Sequence, residues 1–211
     1  MMICSGVIDN WMRVEMMHAI AKDYYEKTRD SEFRNYMMNP SVHLFFDLEK
    51  YGLMEKESCI VGMVMAWSVI TLESLINHAI AETTTDESDA IKAIEFPNNI
   101  KVANGARSAL AKKMLILSKG HISEKNLIKL ADRISDMRNE IVHDKPFSYF
   151  DKGDGDIEIR YYRERGNSDG KQYRYEDLKE FNIHCQEICD FIDSYYVHYS
   201  LMGYRVSFNE L

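Results

Sequence analysis

One long apolar segment, from residue 58 to residue 82, constrains the fold of this chain more than any other feature. From residue 59 it runs CIVGMVMAWSVITLESLINHAIAE, and the helix that it predicts is apolar on most of its sides. Other elements must cover such a helix, so we expect it at the centre of the fold. Its most apolar part, residues 59–72, is shorter than the roughly 20 residues that span a bilayer and leads directly into Glu73. The segment therefore predicts a core helix and no membrane contact.

Further helices are predicted where apolar residues recur three and four positions apart. Residues 9–28 show this spacing, and residues 176–200 keep it without interruption. A third helix begins near Ser123 and is expected to end near His143. The methionine-rich pieces MMHAI and VGMVMAW are expected to fill the core. The expected buried stripe of the third helix consists of Leu127, Leu130, Ile134, Met137 and Ile141.

The pattern changes from helical to alternating between residues 156 and 176. The sequence DIEIRYYRERGNSDGKQYRYE alternates around a cluster of Gly, Asn, Ser and Asp residues, which is typical of a β-hairpin. We therefore predict an all-α protein, an antiparallel helical bundle that forms one domain over residues 1–211. A small β-hairpin is inserted before its last long helix.

The composition narrows the classes of function. A formal net charge of -8 argues against a protein that binds nucleic acid over its whole surface, although it leaves room for a local basic patch. The first residues, MMICSGVIDNWMR, lack the basic and apolar regions of a signal peptide. The four cysteines have no paired spacing, which favours reduced thiols in a cytoplasmic protein.

The stretch LADRISDMRNEIVHDKPF, residues 130–147, places Arg138, Asn139 and His143 shortly before Pro146. The residue before a proline is disfavoured in a helix, so the helix is expected to end near His143 or Asp144. Asn139 and His143 share a helix face, whereas Arg138 lies about 140° away from His143. The Arg and His side chains therefore converge only if the helix end unwinds or if two copies of the helix pack across a symmetry axis.

These three residue types suit cleavage of a phosphodiester. Histidine accepts and donates protons near neutral pH. Arginine binds phosphate through two nitrogens and stabilises the additional negative charge of a transition state. Asparagine can hold the imidazole or a phosphate oxygen in place. No metal is needed if the nucleophile is the 2′-hydroxyl of RNA.

The motif RNEIVH, residues 138–143, resembles the signature of HEPN (higher eukaryotes and prokaryotes nucleotide-binding) domains. In that family an Arg, often followed by a polar residue, precedes a His by four to six positions on a late helix of a bundle. MAWSVITLESLINHAIAE, residues 65–82, is similar to the early core helix of the family. The likeness covers residues 58–145, with the last helix left open, and does not include the first 57 residues or the hairpin.

The resemblance implies a metal-independent endoribonuclease that acts as a homodimer, without a cofactor, as a toxin or in defence against phage. It makes Arg138 and His143 the catalytic pair, with Asn139 in support. The implied partners are RNA, a second copy of the chain, and an antitoxin or other defence-system protein. In one subset of the family a modified tyrosine stands two residues after the His. Here that position is Lys145, which puts this form of control in doubt.

The predicted hairpin is a candidate RNA contact because basic side chains and tyrosines interleave along it. Between residues 157 and 175 it has five basic and three acidic residues, a net charge of +2 in an acidic chain. Basic groups bind phosphates and flat rings stack on unpaired bases. The same residues are ordinary on an exposed ribbon, and the hairpin can equally pack on a second copy. The candidate RNA-binding residues are Arg160, Tyr162, Arg163, Arg165, Lys171 and Arg174.

Alternative interpretations remain open for each candidate. Glu73 either orients Arg138 at the site or forms a purely structural ion pair with it, and His143 can serve as a helix cap. Cys185 and Cys189, with His184, resemble half of a metal site, but Cys185 matches the buried stripe of the last helix. The whole chain is alternatively a non-catalytic dimerisation or nucleotide- and RNA-binding scaffold, or a helical protein that binds a partner through its last helix.

Overall fold

The computed structural model describes residues 3–29, 48–121, 125–142, 147–151, 157–161, 173–196 and 206–211. These residues are mainly helical, which confirms the predicted fold class in its coarse form. The α-helices are α1 (Ile3–Thr28), α2 (Leu48–Thr83), α3 (Glu87–Glu95), α4 (Ala109–Leu117), α5 (Lys125–Val142) and α6 (Asp177–Tyr195). Short 3-10 helices lie at Pro97–Asn99, Lys101–Ala103 and Phe208–Glu210.

The long helix α2 lies at the centre of the described structure, as its sequence predicts. It packs against α1, α3, α4, α5 and α6, and its side chains belong to the main hydrophobic core. Its Lys56–Thr83 part is long and apolar enough to cross a membrane by length and composition, although the apolar run 59–72 within it is too short to do so. However, 61% of its most apolar window is buried inside the protein. That burial is what a core helix requires.

The helices next to α2 run in both directions. In α1, Asn10 Nδ2 donates to Ser74 Oγ at 2.9 Å, and further along α1 the Arg13 guanidinium lies 4.5 Å from the centroid of the Trp67 ring. Residue numbers rise along α1 as they fall along α2, so these two helices are antiparallel. The N–H of Tyr175, before α6, donates to Glu57 Oε1 at 3.1 Å.

The far end of α6 shows its direction. The ring of Tyr196, directly after α6, lies 5.3 Å from the ring of His78, close to the end of α2. Since α6 begins beside Glu57 and ends beside His78, it runs parallel to α2. The bundle is therefore not antiparallel throughout, in contrast to the predicted architecture.

Two short strands, β1 (Phe147–Asp151) and β2 (Ile157–Tyr161), pair antiparallel with Phe147 opposite Tyr161. The sequence analysis paired residues 157–161 with the segment near residue 175, across the GNSDG cluster. That hairpin is not confirmed, because β2 pairs with β1 and the described residues Tyr173 and Arg174 are not in a strand. The connection from Asp151 to Ile157 has five residues, as many as the predicted turn GNSDG, so loop length does not distinguish the two pairings. Residues 162–172 lie outside the described structure.

The methionines are divided between the core and the surface. Met65 and Met114 are essentially inaccessible, as expected for gap-filling side chains. In contrast, Met12, Met16 and Met63 expose 51%, 56% and 37% of their surface. The expectation that MMHAI and VGMVMAW are core throughout is therefore wrong for Met16 and Met63. In both segments the exposed methionine lies on the side of its helix that faces away from the neighbouring helices.

Candidate functional site

Arg138 lies within the buried face of α5. The most buried residues of that face are Ala131, Ile134 and Ser135, with exposures of 0%, 0% and 5%. Arg138 follows Ile134 by four residues and Ser135 by three, so it shares their face. The sequence predicted a buried stripe of large apolar residues on this helix, from Leu127 to Ile141. The stripe is instead centred on Ala131, Ile134 and Ser135, and the other large apolar residues are only partly buried.

Gly62 of α2 sets the position of the C-terminal part of α5. A Cβ atom added to Gly62 would lie 3.3 Å from Ile141 Cγ2, so a larger residue would force Ile141 to shift. The missing side chain allows the two helices to pack closely at this level. Ile141 is three residues beyond Arg138. The close contact therefore anchors the end of α5 that carries the Arg-Asn pair.

The guanidinium of Arg138 is only partly satisfied by hydrogen bonds. Its Nη1 donates to Asn139 Oδ1 at 2.8 Å. Its Nε is buried and has no hydrogen-bond acceptor. A buried donor without an acceptor costs about 1–3 kcal/mol, so this arrangement is unfavourable unless an acceptor is supplied. Asn139 is exposed and Arg138 is half-buried, which places this pair at the protein surface.

Several predicted site residues fall outside the described structure. The helix α5 ends at Val142, one residue before His143, and residues 143–146 are not described. Arg160 belongs to β2, of which only the backbone is described. The other predicted RNA-binding residues outside the described residues are Tyr162, Arg163, Arg165 and Lys171.

Arg174 does not occupy the exposed ribbon that the sequence analysis predicted. It is 9% exposed, and its backbone N–H donates to Asp177 Oδ2 at 2.8 Å, at the start of α6. This residue forms part of the entry into a helix rather than a strand. Its burial leaves little of the side chain to contact RNA.

Glu73 is associated with Lys113 rather than with Arg138, and the expected Glu73–Arg138 ion pair does not form. Lys113 is 7% exposed, and its Nζ donates to Asn77 Oδ1 at 2.7 Å. Burial lowers the pKa of Lys113, and the negative charge of Glu73 partly opposes this effect. Glu73 stands eleven residues along α2 from Gly62, about 16 Å of helix axis. It therefore lies at a different level of α2 from the contact with Ile141.

A charged cluster that the sequence analysis did not identify fastens α5 to the beginning of α4. Asp132 Oδ1 accepts the backbone N–H groups of Arg107 and Ser108 at 3.1 and 2.7 Å. The Arg107 Nη2 donates to Asp136 Oδ2 at 2.7 Å. Ser108 caps α4, since its Oγ accepts from the N–H of Ala111 at 3.1 Å. The sequence near α4 offers only one signal of this cluster, a serine in front of a helical pattern. The carboxylates that bind Arg107 and Ser108 come from α5, far along the chain.

Cys185 and Cys189 are core residues, as the stripe of the last helix predicted for Cys185. Both are 0% exposed, and burial raises the pKa of the Cys185 thiol well above its usual value. The Cys189 Sγ lies 3.7 Å from the carbonyl oxygen of Val206. Within the described ranges, three or more His, Cys, Asp or Glu residues do not come together in a group that would hold a metal ion.

Comparison with protein-family models, with curated proteins and with solved structures found no match to this chain. The fold and the site define a mainly helical protein with a hydrogen-bonded Arg-Asn pair near the end of α5.

Proposed function

We propose that this protein is a metal-independent endoribonuclease with a HEPN-like helical bundle. The observation that carries the proposal is the Arg138 guanidinium, whose buried Nε has no acceptor while Nη1 is held by Asn139. A phosphate oxygen is an acceptor of the kind that this donor lacks. The resemblance of RNEIVH to the HEPN signature supplies the third residue, His143.

The proposed reaction needs only these side chains and the RNA. His143 takes the proton of the 2′-hydroxyl, and the 2′-oxygen attacks the adjacent phosphorus. The bond from phosphorus to the 5′-oxygen breaks, and the protonated His143 gives its proton to that oxygen, which leaves a 2′,3′-cyclic phosphate and a 5′-hydroxyl. Arg138 stabilises the additional negative charge of the transition state, and Asn139 fixes the direction of the guanidinium. Two copies of α5 pool their residues in a homodimer.

The remaining parts of the proposal concern the surroundings of the reaction. The RNA is bound by Arg160, Tyr162, Arg163, Arg165 and Lys171; Arg174 is omitted because it is buried. The protein acts in the cytoplasm, as a toxin or a phage-defence effector that an antitoxin or another defence-system protein controls. Its acidic net charge of -8 is consistent with a local RNA contact rather than a general one.

The test is RNA cleavage in EDTA by the parent protein and four variants. His143→Ala and Arg138→Ala are each expected to lower the cleavage rate by about 100-fold or more. Arg133→Ala, which removes an exposed arginine of the same helix, and His121→Ala, which removes an exposed histidine, should cut like the parent. The new RNA ends should carry 2′,3′-cyclic phosphates.

Two results would contradict the nuclease. One is cleavage that depends on a divalent ion; the other is a His143→Ala variant as active as the parent. Intact RNA with every protein, while the parent is folded and binds RNA or dimerises, would favour the scaffold alternative. The observation that favours the scaffold alternative is the exposed apolar side chain of Val142. It is 52% exposed at the end of α5 and would suit an interface.

A further inference from the structure

The helix α1 is apolar on two opposite sides. One side is buried in the core through Val7, Trp11 and Val14, with exposures of 5%, 3% and 0%. Met16 lies about 180° from Val7 around the helix and is 56% exposed. Ile20, one turn further along, is 38% exposed. Being four residues apart, Met16 and Ile20 are neighbours on the exposed side of α1 and form one apolar surface there.

Met16 and Ile20 lie at the centre of a regular line of residues, which we call the outer seam. The outer seam consists of Asp9, Arg13, Met16, Ile20, Asp23 and Lys27. The intervals between them are four, three, four, three and four residues. At 100° per residue, all six lie within about 80° of each other. This is the spacing of the contact line of a two-stranded coiled coil.

The charges of the outer seam match those of a second, antiparallel copy. When two α1 helices cross at residue 18, Met16 of each copy lies opposite Ile20 of the other. The same alignment brings Arg13 opposite Asp23, and Asp9 opposite Lys27, because the two residues of each pair lie equally far before and after residue 18. A parallel alignment would bring each charged residue opposite its own copy. The sequence of the seam therefore favours the antiparallel arrangement and disfavours the parallel one.

Contacts within one chain already engage three of the seam side chains, Arg13, Asp23 and Lys27. Lys27 Nζ and Asp23 Oδ2 form an ion pair at 2.5 Å, with both side chains more than half exposed. The Arg13 Nη1 donates to Asn10 Oδ1 at 3.2 Å, and its guanidinium lies over Trp67. These exposed groups can gain a partner from a second copy without leaving a buried position.

We propose that the outer seam binds the outer seam of a second copy of this chain, antiparallel and across a two-fold axis. Apolar contacts between Met16 and Ile20 occupy the centre, and the charged pairs fix the alignment. This contact is independent of the nuclease proposed above and uses a different helix from α5. A chain with two different self-complementary faces forms assemblies larger than a dimer, so the two contacts together would give at least a tetramer.

The test exchanges charges between two preparations of the full chain. In Arg13→Asp the altered position meets Asp23 of its copy, and in Asp23→Arg it meets Arg13, so each variant alone repels itself. When the two variants are mixed, both contacts of the pair again join opposite charges. Native mass spectrometry should show that each variant alone loses one association step, with dimerisation weakened about tenfold or more. The mixture should regain that step with one chain of each kind in every pair.

Two further sets of variants guard against a loss of folding or a general charge effect. Asp9→Lys and Lys27→Asp exchange the outer pair and should behave in the same way, alone and mixed. Glu15→Arg and Lys22→Asp change the charge by equal amounts at exposed positions of α1 outside the seam, and they should associate like the parent.

Three outcomes would overturn the proposal. The first is a parent that stays monomeric at all concentrations. The second is a parent whose association no seam variant alters, since the contact would then lie elsewhere, for example on α5. The third is a mixture that does not recover what the single variants lost.

Discussion

Lys113 is a buried cation whose hydrogen-bond partner is a neutral amide, Asn77 Oδ1 at 2.7 Å. Burial lowers its pKa below the usual 10.5, so the unfolded chain holds this proton more tightly than the folded protein does. The contribution of Lys113 to the free energy of unfolding must therefore increase as the pH rises from the lowered pKa toward 10.5. Lys113→Met has no such contribution. Relative to this variant, the parent is expected to gain stability through the alkaline range.

Urea denaturation of both proteins, from neutral pH up to 10.5, measures this difference. Lys101→Met, at an exposed position, serves as the control and should follow the parent at every pH. A difference between parent and Lys113→Met that stays constant or shrinks as the pH rises would contradict the assigned burial effect. Because each variant retains the cysteines and tyrosines, their own alkaline titration cancels in the comparison.

The residue scale also shows which part of the candidate site a sequence can reveal. The motif RNEIVH predicts Arg138 and Asn139 as site residues; the structure shows a hydrogen bond between them, and their role stays a prediction. The partner of Glu73 could not be identified in the same way. Whether Glu73 approaches Lys113 or Arg138 depends on where α4 and α5 cross α2. Contacts between residues that are far apart in sequence set these crossings. Lys113 itself has no local signal, since an exposed and a buried lysine look alike in a helical pattern.

At the scale of elements, Asp132 connects α5 to the start of α4. It is nearly buried and accepts the N–H groups of Arg107 and Ser108. Asp132→Ala leaves these donors without their acceptor, so it is expected to lower the free energy of unfolding by about 2–3 kcal/mol. Asp136→Ala removes only an exposed ion pair with Arg107 and should cost less than about 1 kcal/mol. Chemical denaturation of both variants checks the ranking, and equal losses would contradict it.

The helices were predicted better than the strands, and the reason is physical. The last helix was expected at residues 176–200, and α6 spans Asp177–Tyr195, because helical spacing is a local property of the chain. The core helix was expected at residues 58–82, but α2 already begins at Leu48. The irregular apolar pattern before residue 58 hid that start. The strand Ile157–Tyr161 was located, but its partner was not, since pairing is decided between segments.

At the scale of the whole molecule, the arrangement of the helices around α2 could not be predicted from the sequence. The apolar pattern predicted that α2 would be covered, and α1, α4, α5 and α6 cover it. It did not predict that α6 would run parallel to α2. The approach of α5 depends on Gly62 meeting Ile141, a match between two residues that are far apart in sequence. Such matches arise from three-dimensional packing and leave no periodic signal.

Phe208 in the C-terminal segment contacts α1 through its ring and α6 through its backbone N–H. Phe208 is fully buried, its ring lies 5.0 Å from that of Trp11 in an edge-to-face contact, and its N–H donates to Gln186 Oε1 at 2.7 Å. Phe208→Ala leaves a cavity between two helices and should cost about 3–5 kcal/mol of unfolding free energy. Phe96→Ala, at a residue that is 53% exposed, should stay within about 0.5 kcal/mol of the parent. Thermal and urea denaturation distinguish the two; a Phe208→Ala protein as stable as Phe96→Ala would mean that α1 and α6 hold together without this contact.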